Sequence, residues 1–196
     1  NHLTAWGMLH GKARVQPWET VLVFGIGGGL SLAALQLAKL SGARVLVTSR
    51  DPAKLDRAAA LGADATIDGR GDVVRQVMAA TGGRGVDVVI ENVGAAVWSA
   101  AMKSLVRGGR LVTCGATTGD QPPADIRRIF IRQLQILGST MGDLADFADL
   151  LSLVQRTRLK PVIDSEHPLD DVHAALDRLA SGRQFGKVVL TIGSEP

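Results

Sequence analysis

Short apolar runs alternate with longer stretches of helical periodicity from residue 20 onward. The first run, at 20–24 (TVLVF), is apolar after its opening threonine, which is typical of a strand buried on both faces of a sheet. Leucine, alanine and glutamine then recur at helical spacing over 30–40, and Gly42 stands where a helix would end. Because a second apolar run follows at 43–48, the pattern predicts a strand, a helix and a second strand in succession.

The alternation continues as far as residue 139. Asp51 and Pro52 predict the N-cap and first position of a helix that ends at Gly62. We predict further strands at 65–68, 86–91, 110–114 and 135–139, and further helices at 72–81, 95–105 and 125–133. Such alternation needs right-handed crossovers and forms a mostly parallel sheet with helices on both faces. The predicted fold class is α/β, a doubly wound parallel sheet whose strands suit the Rossmann order 3-2-1-4-5-6.

The C-terminal part of the chain, after residue 139, has a different pattern of apolar and polar residues. It predicts a helix at 143–156, a strand at 161–164, a helix at 170–181 and a final strand at 187–192. These elements could extend the sheet as a short C-terminal extension or belong to a second domain.

A glycine-rich turn joins the first strand to the first helix of the predicted sheet, with Gly25, Gly27, Gly28 and Gly29 ahead of Ser31. Glycines there permit a tight turn and close approach of a pyrophosphate, which binds the unpaired N–H groups of the helix. The alternative is a turn without a ligand, but each glycine costs roughly 0.5–1 kcal/mol of backbone entropy that a plain turn does not require. The turn therefore predicts dinucleotide binding, with small Ser31 in the place of a third spaced glycine.

The residues after the second strand indicate which dinucleotide binds. NAD sites carry an acidic residue about 20 positions after the first glycine, but here the strand ends in Thr48, Ser49 and Arg50. Hydroxyl groups and an arginine suit the 2′-phosphate of NADP, and Lys54 would add a second cation. NADP is therefore favoured over NAD, although Asp51 as the ribose ligand and Arg50 as an ordinary surface residue remain alternatives. S-adenosylmethionine methyltransferases share a glycine-rich turn, but they usually have an acidic residue at this strand end.

Composition narrows the range of partners. The net charge is +3 and the basic residues are scattered, so nucleic acid is not an expected partner. The apolar stretches are interrupted by polar residues, as at 30–40, so no membrane contact is expected. The single cysteine, Cys114, rules out an intramolecular disulfide and fits a reducing, cytoplasmic setting.

Taken with these motifs, the chain resembles the medium-chain dehydrogenase/reductase family, which includes zinc-containing alcohol dehydrogenases, quinone oxidoreductases and polyketide enoylreductase domains. The resemblance rests on LTAW at 3–6, VLVFGIGGG at 21–29, KLDRAAALGAD at 54–64, GRGVDVVIENVG at 83–94, GGRLVTCG at 108–115 and SGRQFGKVVLTI at 181–192. The set in this order is specific for the family but not for a substrate.

The resemblance implies a contact for each part of the dinucleotide. The pyrophosphate would bind at Gly28, Gly29 and Leu30, the nicotinamide ribose at Asn92, Val93 and Gly94, and the nicotinamide beside Thr4, Cys114, Gly115, Ala116, Gly138, Ser139 and Thr140. Phe185, Gly186 and Lys187 would close over the phosphates. The alternatives are structural: Asn92 as a turn residue and Cys114 as a small buried side chain.

The resemblance also implies a GroES-like catalytic domain that supplies zinc ligands and most substrate contacts. A catalytic zinc needs three protein ligands, and no suitable spacing links Cys114 to His2, His10, His167 or His173. His167 is expected in a turn before Pro168 and His173 on a helix, so we predict no metal site and name no catalytic residue.

The predicted organisation is an NAD(P)-binding Rossmann domain at 1–160 and a segment at 161–196 that in the family returns to the catalytic domain. The parent protein would be an oxidoreductase that transfers hydride between NADP(H) and a small-molecule alcohol, carbonyl or activated alkene. The chain alone is expected to bind the cofactor without turnover. The alternative is a non-catalytic NADP-binding module or sensor.

The last strand of the predicted sheet, at 135–139, is expected at a sheet edge. Ile136 and Leu137 make this edge apolar, and neither lysine nor proline interrupts it. Unpaired edge groups invite pairing with another chain, and the resemblance implies a homodimer through this strand. The alternative is that 141–156 folds over the edge and leaves a monomer.

Overall fold

A six-stranded parallel sheet forms the centre of the protein, as the alternating pattern predicts. The structure is a computed structural model that describes residues 1–193. Its strands are β1 (Thr20–Val23), β2 (Arg44–Ser49), β3 (Ala65–Asp68), β4 (Val86–Glu91), β5 (Leu105–Thr113) and β6 (Gln135–Gly138). They lie in the order β3-β2-β1-β4-β5-β6, and every neighbouring pair is parallel. The predicted Rossmann order is confirmed.

Helices connect the strands and cover both faces of the sheet. They are α1 (His2–Trp6), α2 (Gly29–Leu40), α3 (Pro52–Ala60), α4 (Val73–Ala80), α5 (Ala95–Ser104), α6 (Ile126–Arg132), α7 (Leu144–Thr157) and α8 (Val172–Ala180). The start of α3 follows the expected capping chemistry, because the Asp51 carboxylate accepts a hydrogen bond from Ala53 N at 3.0 Å with Pro52 in the first helical turn. The capping interpretation of Asp51 is confirmed.

The core consists of two apolar clusters, and successive residues over 21–24, at the end of β1 and just after it, belong alternately to one and the other. Val21 and Val23 join the cluster that contains the buried residues of α2, whereas Leu22 and Phe24 join the cluster that contains Met102 of α5. All of β1 is buried, as its unbroken apolar run predicts. This packing fixes the carboxyl end of β1, where the glycine turn begins.

Two features differ from the predicted elements, one at the N-terminus and one in the central sheet. Residues before β1 form α1 and then a π-helical segment, Gly7–Ala13, neither of which is predicted. Strand β5 begins at Leu105 rather than at Arg110, because Leu105 pairs with Val86 and Arg110 with Val88. The four residues 106–109 bulge between these pairs opposite the single residue Asp87, with Gly108 at φ +75°. The glycines therefore bend the strand instead of preceding it.

The C-terminal residues build a separate β-α-β unit rather than a seventh strand of the large sheet. Strands β7 (Ile163–Pro168) and β8 (Lys187–Thr191) pair in parallel, and a 3₁₀ turn, Leu169–Asp171, precedes α8. The expected turn at His167 and Pro168 is wrong, because these residues pair with Leu190 and Thr191. Residues 194–196, the end of the predicted segment 161–196, lie outside the described residues, and the boundary at 160 stays a prediction.

Candidate functional site

A cleft of about 1090 Å³ lies at the carboxyl ends of the central strands. Its walls come from the turns after β1, β2, β3 and β4, from the loop after β5 and from residues beyond α8. The sheet order reverses between β1 and β4, and ligands of open α/β sheets bind in the crevice at such a switch point. The fold thus places the glycine turn at the position where a ligand is expected.

The glycine turn is held open by hydrogen bonds within the fold. Gly25 N donates to Thr48 Oγ1 at 3.1 Å, and Ser31 Oγ lies 3.0 Å from the carbonyl oxygens of both Gly25 and Gly28. Gly28 is the N-cap of α2, and a Cβ added there would meet only Ser31 Oγ, at 3.7 Å. Space therefore remains beside the first turn of α2, where unpaired N–H groups favour an anion.

Two cations stand at the β2 end of the cleft. Arg50 is exposed, and no ion pair within residues 1–193 involves it. Lys54 lies against the glycine turn, since a Cβ on Gly27 would approach its Cδ to 2.8 Å. Burial lowers the pKa of Lys54, while the carboxylates of Asp51 and Asp164 oppose this effect. This end of the cleft is positively charged.

Arg70 lines the same part of the cleft but is already paired. Its Nη2 lies 2.8 Å from Asp68 Oδ2, and its side-chain hydrogen bond holds the pKa of Asp68 at about 2. A phosphate would have to compete with this carboxylate for Arg70. Arg50 is therefore the more available cation.

At the end of β4, the buried carboxylate of Glu91 shapes the next turn. Its Oε1 accepts hydrogen bonds from Val93 N and, at 2.6 Å, from Gly94 N. Its Oε2 accepts a hydrogen bond from Thr113 Oγ1 at 3.1 Å, which ties β4 to β5. Glu91 is not among the site residues that the sequence predicts. The feature that could have indicated it is a carboxylate as the last residue of a buried strand.

The ends of β5 and β6 continue the same edge of the sheet. Cys114 N donates to Glu91 O at 3.2 Å, and Ser139 N donates to Thr113 O at 2.9 Å. Burial, with the charge of Glu91, raises the pKa of the Cys114 thiol to about 11, so it stays protonated at neutral pH. Ser139 Oγ is buried and has no hydrogen-bond partner among residues 1–193.

The cleft unites some of the predicted contacts and leaves others outside its lining. Gly25, Gly28, Thr48, Ser49, Arg50, Lys54 and Val93 line it. The predicted residues outside that lining are Thr4, Gly29, Leu30, Asn92, Gly94, Cys114, Gly115, Ala116, Gly138, Ser139, Thr140, Phe185, Gly186 and Lys187. Gly29 and Lys187 instead share a smaller cavity of about 230 Å³. Thr117, Thr118, Gly182 and Gln184 line the cleft without being predicted.

Comparison with known proteins agrees with this geometry. The zinc-binding dehydrogenase family matches residues 29–156, which begin at the last glycine of the turn and include α2, β2 to β6 and most of α7. The chain belongs to this family.

Three relatives illustrate the likeness. An NAD-dependent alcohol dehydrogenase of Sulfurisphaera tokodaii is 31% identical over 182 residues, which is 91% of this chain and 52% of that protein. A crystal structure of an NAD-dependent alcohol dehydrogenase is 41% identical with a TM-score of 0.91, and the match covers 98% of this chain and 56% of that one. A 2-octenoyl-CoA carboxylase reductase in complex with NADP and 2-octenoyl-CoA is 27% identical with a TM-score of 0.85, over 96% of this chain and 47% of that one. The chain spans about half the length of the curated alcohol dehydrogenases it matches.

The family's zinc does not fit the side chains described here. Within residues 1–193, no three His, Cys, Asp or Glu side chains are grouped closely enough to hold a metal ion. We therefore assign no chemical step in this chain to zinc. Among the same residues, no helix combines the length and apolar character needed to cross a membrane.

Proposed function

We propose that this chain binds NADP(H) in the cleft, as the cofactor-binding part of an oxidoreductase that transfers hydride to or from a small alcohol, carbonyl or activated alkene. The observation that carries the proposal is the open space at Gly28, where a Cβ would meet only Ser31 Oγ at 3.7 Å. It lies beside the positive end of α2, so a pyrophosphate would bind there with favourable electrostatics. Family membership supports the reaction class.

The β2 end of the cleft supports NADP rather than NAD. Ser49 ends β2 where NAD sites have a carboxylate, and the Asp51 carboxylate already caps α3. Arg50 is free to bind a 2′-phosphate with a charge-assisted hydrogen bond. The relatives include both NAD-dependent dehydrogenases and a reductase in complex with NADP.

The nicotinamide end would lie along the ends of β4, β5 and β6. The residues proposed to contact the cofactor are Thr4, Gly25, Gly28, Gly29, Leu30, Thr48, Ser49, Arg50, Lys54, Asn92, Val93, Gly94, Cys114, Gly115, Ala116, Gly138, Ser139, Thr140 and Lys187. When bound, the cofactor supplies or accepts the hydride. The chain's own contribution is to bind and orient it: Glu91 fixes the turn 92–94 through Gly94 N, and Ser139 Oγ is a buried group that still lacks a partner among residues 1–193.

The test is a titration of the purified chain with NADPH, NADH and S-adenosylmethionine, followed by ligand fluorescence or calorimetry. We expect NADPH to bind most tightly and S-adenosylmethionine not to bind. Tight binding of S-adenosylmethionine, or no binding of either dinucleotide, would contradict the proposal. A non-catalytic NADP-binding module is the second candidate. A cytoplasmic setting stays a prediction.

A further inference from the structure

Residues 181–187, which we term the strap, lie across the glycine turn. Gly186 N donates a hydrogen bond to Gly27 O at 2.9 Å, and Lys54 Nζ donates one to Gly182 O at 2.6 Å. Gly182 and Gln184 of the strap form part of the cleft wall. The strap therefore joins the end of the chain to the turn proposed to hold the pyrophosphate.

The strap is fastened to a single buried carboxylate. Asp164 of β7 has a side chain that is only 1% exposed, and its Oδ1 accepts a hydrogen bond from Phe185 N at 2.8 Å. Arg178 of α8 donates to both carboxylate oxygens, with Nε at 2.8 Å and Nη2 at 3.0 Å. Such two-pronged pairing is among the strongest arrangements that a carboxylate can make. Asp164 thus joins β7, α8 and the strap.

Arg57 of α3 connects this carboxylate to the wall of the cleft. Its Nη1 lies 3.6 Å from Asp164 Oδ1, and its guanidinium carbon lies 4.3 Å from the centre of the Phe185 ring. Phe185 itself is only 1% exposed, so the middle of the strap is buried against this arginine. These contacts favour one strap conformation, because Asp164 Oδ1 accepts the hydrogen bond from Phe185 N, and Phe185 packs on Arg57, only when the strap is in place.

We propose that Asp164 is a positioning residue for the dinucleotide, which fastens the strap over the cleft and slows the release of bound cofactor. The inference rests on the proposed function, because it assumes that the cleft holds a dinucleotide. Gln184 gives the strap a direct role: its Oε1 is buried and has no hydrogen-bond partner within residues 1–193. This oxygen can accept a hydrogen bond from a ligand group such as a ribose hydroxyl.

The central experiment measures NADPH release by stopped-flow displacement from wild type and Asp164→Asn. The substitution preserves shape but removes the charge that holds Arg178 and Phe185 N. We expect release to accelerate about tenfold to a hundredfold with little change in association, since the loss of a charged hydrogen bond acts mainly on dissociation. The matched control is Asp177→Asn, an exposed carboxylate on the same helix, which should leave release unchanged.

A second measurement follows the opening of the strap in the absence of ligand. Arg183 is an exposed trypsin site within the strap, so limited proteolysis reports strap opening directly. We expect faster cleavage at Arg183 in Asp164→Asn than in wild type or Asp177→Asn. Should Asp164→Asn fail to fold, Arg178→Gln provides a second variant. It removes the two hydrogen bonds that Arg178 donates to Asp164, and it should also raise the rate of NADPH release and the rate of cleavage at Arg183.

The outcomes separate this inference from the proposed function. If wild type binds no dinucleotide, the proposed function fails, and cofactor retention by Asp164 fails with it. If wild type binds NADPH but the Asp164 and Arg178 variants release it at the wild-type rate, Asp164 has only a structural role and the inference alone is wrong. Faster release with unchanged cleavage at Arg183 would contradict the strap as the means of retention.

Discussion

The ammonium group of Lys54 donates a hydrogen bond to the carbonyl oxygen of Gly182 at 2.6 Å, across 128 positions of sequence. An ammonium has three donors, so this bond leaves Lys54 able to bind a phosphate as well. Lys54 lies in the first turn of α3, and it lines the cleft beside the end of β2, where we propose that the cofactor choice is made. A single side chain can therefore contact both the strap and the 2′-phosphate.

Replacement of Arg50 by alanine should reduce the preference for NADPH. Arg50 is exposed at the cleft, where a charge-assisted hydrogen bond to the 2′-phosphate would contribute roughly 1.5–3 kcal/mol. We expect wild type to bind NADPH about tenfold to a hundredfold more tightly than NADH, and Arg50→Ala to lose most of that ratio. Calorimetric titration with both cofactors measures the ratio. Arg75→Ala, an exposed arginine of α4 outside the cleft lining, is the control, and equal affinities in wild type would refute the choice of NADP.

Replacement of Gly28 by valine should remove dinucleotide binding without unfolding the protein. Gly28 has the extended conformation φ −78°, ψ 156°, which valine adopts readily, and its Cβ position is open in the fold. The side chain would instead occupy the space proposed for the pyrophosphate. A melting curve and an NADPH titration of the same sample test both parts. An intact Gly28→Val protein with wild-type affinity would place the ligand elsewhere.

Gly27 provides the contrasting variant in the same turn. Its φ of +123° is strained for any other residue, and a Cβ there would approach Lys54 Cδ to 2.8 Å. We expect Gly27→Val to lower the melting temperature, whereas Gly28→Val should not. The pair therefore separates loss of the fold from loss of the binding space.

Local signals explain what the sequence predicts well. The turn after β1, the cap at Asp51 and the order of the sheet depend on neighbouring residues or on general rules of chain connection. The positions that the sequence does not reveal have distant partners: Asp164 is joined to Arg57, Arg178 and Phe185. Nothing in the local pattern around Asp164 specifies those contacts, because they exist only after the β-α-β unit has packed against α3.

The same reasoning explains the errors. Glycines at 108–109 predict a strand start at Arg110, but pairing with β4 continues on their other side. Proline at 168 predicts a turn, but a proline can end a strand whose neighbour does not need its N–H. Both departures arise because strand pairing in the folded protein overrides a local breaker signal.

Stability should fall in acid partly because of Asp164. The hydrogen bond with Arg178, supported by Phe185 N, holds its pKa at about 2, below the value of about 3.9 expected in an unfolded chain. Since the folded form binds the proton less readily, this stabilisation is complete above about pH 4 and is lost as the pH falls towards 2. We expect urea unfolding to show a steeper loss of stability from pH 4 to pH 2 in wild type than in Asp164→Asn. Parallel curves for the two proteins would contradict this.

The isolated chain should bind NADPH without transferring hydride. The family resemblance assigns most substrate contacts to a GroES-like domain, and within residues 1–193 no group of His, Cys, Asp or Glu side chains could hold a metal ion. Incubation with NADPH and a panel of ketones and enones, with and without added zinc, should show no oxidation above the rate in buffer. Sustained turnover by the purified chain would show that it contains a complete active site.

The edge of the large sheet supports a homodimer, which we propose as the quaternary structure. Strand β6 pairs with β5 on one side, and within residues 1–193 no strand pairs with its other side. The segment after β6 contacts α1 instead, since a Cβ on Gly142 would lie 2.7 Å from Leu3 Cδ1. A twofold contact is self-complementary, so this one edge could serve both partners.

Replacement of Ile136 by proline should shift the protein from dimer to monomer. Ser139 N points towards β5, where it donates to Thr113 O. N–H groups point in opposite directions at successive residues of a strand, so Ile136 N, an odd number of residues away, points to the free edge. Proline at 136 therefore removes a donor from the proposed interface while sparing the bonds to β5. Light scattering over a range of concentrations measures the mass, with Ile136→Val as the control that keeps the N–H. A monomeric wild type at high concentration would refute the dimer, and a dimeric Ile136→Pro would show that the partners meet through another surface.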